Sequence, residues 1–200
     1  MLKRLSLYLA ELKQLAAESP PYISASAIAE RLGFNEVQVR KDLACVSSGG
    51  RPKLGFTVSE LISSIENVLG CNEINNAVIV GAGKLGQALM GYEGFAQYGL
   101  NIVAAFDIDP NVISAERKTF PMEKLEEMCR SMKIHIGIIT VPAAKAQEVC
   151  NILTSSGVIA ILNFAPVTLS VPEGTLLQNE NMALSLAVLS NSLKERTKHE

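Results

Sequence analysis

Two hundred residues, 48% of them hydrophobic and 19% charged, describe a soluble globular protein with room for one large domain or two small ones. A formal net charge of −2 excludes attraction of nucleic acid by the molecule as a whole, so any such function must come from a local basic patch. No apolar run approaches the roughly 18 residues that span a bilayer, and the N-terminus has no signal-peptide core with a cleavage site, so a cytoplasmic protein is expected.

Leu2, Leu5, Leu9 and Leu12 recur at helical spacing and predict an amphipathic helix to about Glu18, ended by Ser19-Pro20-Pro21. Ser24 is placed to cap a short second helix, Ala25 to Leu32, which Gly33 stops. Asn35, three residues ahead of Gln38, forms a variant capping box at the start of a third helix reaching about Val46. Two short helices around a tight glycine turn read as a helix-turn-helix. Ser47 to Lys53 is too polar and too rich in glycine for a helix or a buried strand, and reads as a hairpin wing flanked by a strand from Leu54 to Val58. Ser59 then caps a helix from Glu60 to Leu69, and Gly70 to Asn76 is a connector. The first domain is therefore expected to span residues 1–73.

Beyond it, apolar runs alternate with helical ones: Ala77 to Val80, a helix from Lys84 to Gln97, Ile102 to Phe106, a helix around Met122 to Ser131, Ile134 to Val141, a helix from Ala143 to Ser155, and Val158 to Asn163. Such alternation predicts an α/β domain of the Rossmann type, a doubly wound parallel sheet, over residues 74–178. Val167 to Val171 and Thr175 to Gln178 are candidate edge strands. The last segment, residues 179–200, carries Leu184, Leu186, Leu189 and Leu193 on a helix from Asn181 to Lys194, placed after the sheet is complete. An apolar helix in that position is expected to pack on a neighbour or on a partner chain.

The strand ending at Val80 flows into Gly81-Ala82-Gly83-Lys84-Leu85-Gly86, and Asp107 closes the next apolar run about twenty residues later. This is a dinucleotide-binding fingerprint in its setting. One glycine makes the turn, one lets backbone approach a pyrophosphate, and one lets helix pack on strand. Asp107 can accept hydrogen bonds from a ribose diol and repel a 2′-phosphate, which favours NAD(H) over NADP(H), although a cap for the turn at Asp109-Pro110 is the bland reading. Lys84 is a candidate for the pyrophosphate. The loops Thr140-Val141-Pro142 and Asn163-Phe164-Ala165-Pro166 leave strand ends and are expected to wall the nicotinamide side of the crevice.

Between Arg31 and Lys53, five basic residues (Arg31, Arg40, Lys41, Arg51, Lys53) stand against two acidic ones (Glu36, Asp42), a local excess of three positive charges. With Val39, Leu43 and Val46 turned inward, the third helix leaves Gln38, Arg40 and Lys41 for a DNA groove and its phosphates. Arg51 and Lys53 on the wing would reach the adjacent minor groove or backbone, and Ser24 and Asn35 at the helix starts complete the candidate DNA-binding set. Four cysteines (Cys45, Cys71, Cys129, Cys150) without CxxC spacing, and only His135 and His199 to help them, predict free thiols and no bound metal.

Gln38-Val39-Arg40-Lys41-Asp42-Leu43, the glycine loop, Ala104-Ala105-Phe106-Asp107-Ile108-Asp109-Pro110 and Ile161-Leu162-Asn163-Phe164-Ala165-Pro166 together resemble the redox-sensing transcriptional repressor Rex family, over almost the whole chain. The resemblance implies a bacterial homodimer with a winged helix, a Rossmann domain and a last helix swapped into the partner. It implies binding to an inverted-repeat operator in double-stranded DNA when NAD⁺ dominates, and release when NADH fills the site. It adds Tyr92 and Met182 to the expected cofactor-binding residues. The family's charged set of a first-helix arginine, a tyrosine after the glycine-loop helix and an aspartate at the last helix falls here on Ala10, Tyr92 and Asn181. Only the tyrosine is kept, Met182 replaces an aromatic residue, and Pro52 stands where the wing usually has arginine.

Three other readings stay open on the residues alone. One is a DNA-binding dimer whose response to redox state is weak or absent. Another is a dimer that takes a different nucleotide such as coenzyme A, which lacks the ribose diol that Asp107 suits. An NAD-dependent oxidoreductase is the third; it lacks a substrate domain and a poised acid-base group at the crevice, so an enzyme is not expected.

Overall fold

The computed structural model describes residues 1–18, 21–51 and 54–196, so Pro52, Lys53 and His199 lie outside the described residues. The chain forms two compact units. One comprises Met1–Ile74 with Gln97–Gly99, the other Asn75–Ala96 with Leu100 onward.

In the first unit, α1 (Leu2–Glu18) turns Leu5, Leu9 and Leu12 inward to full burial, while Leu2 stays in water. Helix α2 (Ala25–Leu32) starts on Ser24, whose side chain accepts the Ala27 N–H, and stops at Gly33 in the left-handed region. Helix α3 (Glu36–Val46) follows at once, with Val39 and Leu43 fully buried against Ile28 of α2 and Leu61 and Ile65 of α4 (Val58–Leu69). The expected capping box is half formed. Asn35 Oδ1 accepts from the N–H groups of Val37 and Gln38, but the Gln38 side chain turns to Asp42 instead of reaching back.

The strand expected from Leu54 to Val58 shrinks to β2 (Phe56–Thr57), which pairs antiparallel with β1 (Tyr22–Ile23), a strand too short to leave a periodic signal. Val58 goes to the helix because it shares a buried face with Leu61 and Ile65, so Thr57 precedes the helix, not the expected Ser59. Arg51 and Gly55 close the wing beside this ribbon, the Arg51 N–H donating to the Gly55 carbonyl at 2.7 Å.

The second unit holds a six-stranded sheet, all parallel, of β3 (Asn75–Val80), β4 (Leu100–Asp107), β5 (Thr119–Pro121), β6 (Ile136–Ile139), β7 (Ala160–Asn163) and β8 (Leu176–Asn179) in the spatial order β5-β4-β3-β6-β7-β8. The order reverses between β3 and β6, which opens a crevice at their C-terminal ends. Alternate residues of the central strands serve opposite faces. Val78, Val80 and Ile139 pack under α6 (Leu125–Ser131) and α7 (Ala143–Ser155), whereas Ala77, Ile79 and Ile138 form a smaller cluster with Leu89 and Met90 of α5 (Lys84–Met90).

Helix α5 is shorter than the predicted run to Gln97: it ends at Gly91, and a 3₁₀ turn covers Glu93–Tyr98. Gly91 and Gly94 withdraw helix propensity there, and the Tyr92 ring lies where a Gly94 side chain would stand. Val167 to Val171 forms no strand because side chains take its backbone groups: Asn163 Nδ2 donates to the Val167 carbonyl and Gln147 Oε1 accepts the Ser170 N–H. Exposed His135 precedes β6, and its carbonyl accepts the N–H groups of Ile159 and Ala160.

Helix α8 (Met182–Arg196) begins on Asn181, whose Oδ1 accepts the Leu184 N–H, and leaves Leu184, Leu186, Val188, Leu189 and Leu193 more than 60% exposed. On the sheet, the face opposite α6 and α7 is open over β6 to β8, where Ile136, Leu162 and Leu176 line an apolar groove of about 360 Å³. No helix among the described residues is long and apolar enough to cross a membrane.

Candidate functional sites

The glycine loop is held by contacts that leave no room for a side chain at Gly81 or Gly86. Gly81 adopts φ 104°, and a Cβ there would lie 2.9 Å from both the backbone and Oγ1 of Thr140. At Gly86 a Cβ would fall 1.9 Å from the Gly81 carbonyl oxygen, so α5 rests directly on the loop. Gly83 meets nothing within 4 Å and leaves its backbone open. The loop is tied down from three sides: the Gly81 N–H donates to the Phe106 carbonyl at 2.8 Å, Thr140 Oγ1 donates to the Gly81 carbonyl at 2.7 Å, and Gln87 Nε2 donates to the Ala82 carbonyl at 2.9 Å.

Asp107 makes two backbone contacts, one of them the cap of the turn at Asp109. Its Oδ2 accepts the Ala82 N–H at 2.6 Å, bracing the loop, and its Oδ1 accepts the Asp109 N–H at 2.9 Å, capping the turn. Lone pairs remain on both oxygens, and the carboxylate is half-buried beside a pocket of about 420 Å³. Gly81, Gly83, Asp107, Thr140, Val141 and Pro142 share this pocket. Sequence reasoning missed its apolar wall: Met122 ahead of α6, and Val149 and Ile152 of α7, with the Lys145–Glu148 ion pair at the rim. The helical spacing of 145, 148, 149 and 152 is the signal that links the α7 members.

The remaining expected cofactor residues do not line this pocket. Lys84 is exposed, Leu85 half-buried, and neither belongs to the wall. Asn163 is fully buried and its amide is spent internally, donating to the carbonyls of Ala165 and Val167 and to Asn179 Oδ1, while accepting the Ala165 N–H. It shapes its loop and does not reach out. Phe164 packs with the α5-side cluster, Tyr92 is 61% exposed with its ring edge-on to Phe95, and Met182 is 56% exposed at the start of α8.

In the first unit, α3 exposes Val37, Gln38, Arg40, Lys41, Ala44 and Cys45. Arg40 pairs with Glu36 one turn earlier, whereas Lys41 has no ion-pair partner among the described residues. The Arg51 guanidinium lies 5.9 Å from the centroid of the Tyr22 ring. Ser24 and Asn35 spend their side chains on helix starts.

Asp42, counted in the sequence as a charge opposing the basic patch, is 4% exposed and belongs to a network that sequence reasoning missed. Arg4 grips it with Nε at 2.6 Å and a terminal nitrogen at 3.0 Å, the Tyr8 hydroxyl donates to it at 3.0 Å, and Gln38 Nε2 donates at 3.0 Å. The Arg4 hydrogen bonds hold the carboxyl down at about 2, and burial pushes the Tyr8 phenol up. Arg4 therefore neutralises Asp42 inside the unit, just as Glu11 pairs with Arg31, so the local excess of three positive charges stands. Burial also raises the Cys129 thiol to about 11 and lifts Cys150 and Cys71, whereas Cys45 is exposed. Among the described residues no cluster of three or more His, Cys, Asp or Glu could hold a metal.

A winged helix-turn-helix joined to a Rossmann sheet with its glycine loop intact defines a class: DNA-binding regulators with a nucleotide-binding domain. Two family models match, "CoA binding domain" over residues 72–167 and "Putative DNA-binding protein N-terminus" over residues 1–44. The redox-sensing transcriptional repressor Rex of Treponema denticola is 41% identical, over 94% of this chain and 90% of its own. Its namesake in Carboxydothermus hydrogenoformans is 40% identical over 96% and 94%. The crystal structure of RSP in complex with β-NAD⁺ and operator DNA superposes with a TM-score of 0.90 at 32% identity, covering 98% of this chain and 92% of that one. RSP in complex with β-NADH gives 0.88 at the same identity, covering 98% and 94%. The chain belongs to the Rex family of redox-sensing transcriptional repressors. It is a DNA-binding repressor and not an enzyme.

Two outcomes follow from this geometry. Gly86→Ala forces a methyl group into the Gly81 carbonyl, so it is expected to cost about 1–3 kcal/mol in urea unfolding and to weaken nucleotide binding measured by calorimetry. The unfolded Asp42 carboxyl titrates near 3.8 and the folded one near 2, so the unfolded state binds more protons between those values. The stability Asp42 contributes is present above pH 3.8 and is lost as pH falls through about 2. In denaturant titrations, the stability difference between wild type and Asp42→Asn should shrink over that window on acidification.

Proposed function

We propose that the chain works as a homodimeric repressor that binds an inverted-repeat operator with two α3 helices and lets it go when NADH replaces NAD⁺ in the pocket beside the glycine loop. One observation carries the reading: Gly81, Gly83, Asp107 and Thr140, far apart in sequence, border one pocket with an apolar wall. The fit to a dinucleotide is good. The open backbone at Gly83 and the first-turn amides of α5, which need acceptors from outside the helix, suit a pyrophosphate within Gly81, Ala82, Gly83, Lys84, Leu85 and Gly86. The free lone pairs of Asp107 suit a ribose diol and oppose a 2′-phosphate. Ile108, Met122, Pro142 and Ile152 among the pocket's lining suit the apolar faces of a purine. Thr140, Val141 and Pro142 thus serve the adenosine half, on the Asp107 side of the loop, instead of the nicotinamide half. The nicotinamide, when bound, supplies the redox signal through its ring charge, positive when oxidised and neutral when reduced.

In this reading α3 brings Gln38, Arg40 and Lys41 to the groove and Arg51 lies on the wing, while Ser24 and Asn35 set the helix starts with their side chains. RSP, a Rex-family repressor, has been solved with operator DNA and with each form of the coenzyme, which supports the same partners here in a cytoplasmic setting. The dimer reading rests on two exposed apolar surfaces, Leu184, Leu186 and Leu189 of α8 and the sheet groove at Ile136, Leu162 and Leu176, which match if α8 of one protomer crosses to its partner along with Met182. Residues 1–73, 74–178 and 179–200 then act as reading head, sensor and clasp.

Fluorescence anisotropy on operator duplex at fixed salt, with the NADH:NAD⁺ ratio varied, tests the function. Operator affinity should fall as the ratio rises, and affinity that stays flat removes the sensing role. In the same assay Lys41→Ala should weaken binding for all sequences and reduce the salt slope by about 1. Sedimentation analysis tests the clasp: Leu189→Glu should shift the dimer toward monomer, and an unchanged dimer would rule out α8 as the clasp.

A further inference from the structure

Two residues of the Asp42 network, Tyr8 and Asp42, are buried, Arg4 keeps about a third of its side chain in water, and Gln38 lies at the surface, on the exposed face of α3. A glutamine carboxamide carries two N–H donors and one acceptor oxygen. One Nε2–H is given to Asp42 Oδ1; among the described residues nothing engages the second N–H or Oε1. The amide cannot be reversed in place, because reversal sets Oε1 against a carboxylate oxygen with no proton between them. Asp42 in turn cannot swing away, because Arg4 holds both its oxygens and Tyr8 holds one. An exposed glutamine ordinarily loses rotamer freedom when it engages a base; this one is already fixed.

We propose that Asp42, clamped by Arg4 and Tyr8, is a positioning residue for base reading: it fixes the Gln38 carboxamide so that one donor and one acceptor remain for the major groove, selecting adenine at one position of each half-site. The inference rests on the reading that α3 enters the groove. Adenine offers N7 as acceptor and N6–H as donor, which complement the free Nε2–H and Oε1. Guanine offers two acceptors on that edge, and its O6 meets Oε1 with no hydrogen between them. Arg40 and Lys41 have no link to Asp42 and contribute charge without this constraint.

The test uses the full-length chain and a duplex pool randomised over about two helical turns, roughly 20 base pairs, from which the wild type selects its site. Single-base variants of that site are then titrated at fixed salt. Gln38→Ala should lose an adenine-over-guanine preference of about tenfold or more at one position per half-site. Asp42→Asn should lose preference at the same position, and the double variant should lose no more than Gln38→Ala alone. Tyr8→Phe, which keeps the ring and removes one hydroxyl from Asp42, should show a smaller loss at that position. The salt slope should stay unchanged in all of them, since none removes a phosphate contact.

An even fall in affinity across all bases in Asp42→Asn and Tyr8→Phe would make the network merely structural and overturn the proposal. Should Asp42→Asn not fold, Tyr8→Phe decides alone, and an unaltered preference there overturns it. A wild type that enriches no site, or a Lys41→Ala salt slope equal to wild type, tells instead against α3 as the reading helix and takes the proposal with it.

Discussion

The second unit is organised by one close backbone approach: α5 lies against the glycine loop so tightly that the space for a Gly86 side chain is occupied by the Gly81 carbonyl oxygen. That contact sets where the helix begins, and the helix start sets which way the loop amides face. Thr140 and Asp107, at the ends of β6 and β4, then fasten the loop from either side through the Gly81 carbonyl and the Ala82 N–H. The pocket is what remains between three parallel strand ends once their connections leave in opposite directions, as Rossmann topology requires where strand order reverses.

The first unit is built around a different constraint, a buried carboxylate. Asp42 retains its charge inside the unit only because four donated hydrogen bonds, two from Arg4 and one each from Tyr8 and Gln38, replace the water it lost. Three of those bonds run from α1 to α3, so α3 is fixed to the first helix of the chain by charge as well as by Leu5, Leu9 and Leu43. Buried ionic networks of this kind contribute more to a single well-defined geometry than to net stability when all their members are satisfied.

Much of this was legible in the sequence where spacing carries geometry. Leucine periodicity, the Ser24 and Asn35 caps and the Gly33 stop locate α1, α2 and α3, and the glycine spacing with Asp107 locates the loop and its strands, because each signal is local. Three kinds of feature were not legible. Strands of two or three residues, β1 and β5, are too short to show a period and exist through their partners. Helix ends shift where tertiary packing competes with caps, as when Val58 joins α4 for the sake of Leu61 and Ile65. Side chains that meet only through the fold were invisible: Arg4 and Asp42 lie 38 residues apart, and Met122 and Ile152 reach the pocket from two helical segments. Asn163 shows the converse, a polar residue at a strand end whose place suggested a ligand and whose hydrogen bonds are all internal.

Helix α8 leaves five large aliphatic side chains in water, and the open sheet face leaves Leu176 72% exposed. Apolar surface on that scale lowers its free energy when it is covered, and the homodimer proposed above is what would cover it. Covering it ties the chain's stability to its own concentration. A cell that changes the number of copies would thereby change how many finished molecules exist as well as how much polypeptide is made, so gene dosage enters the response as a variable alongside the coenzyme ratio.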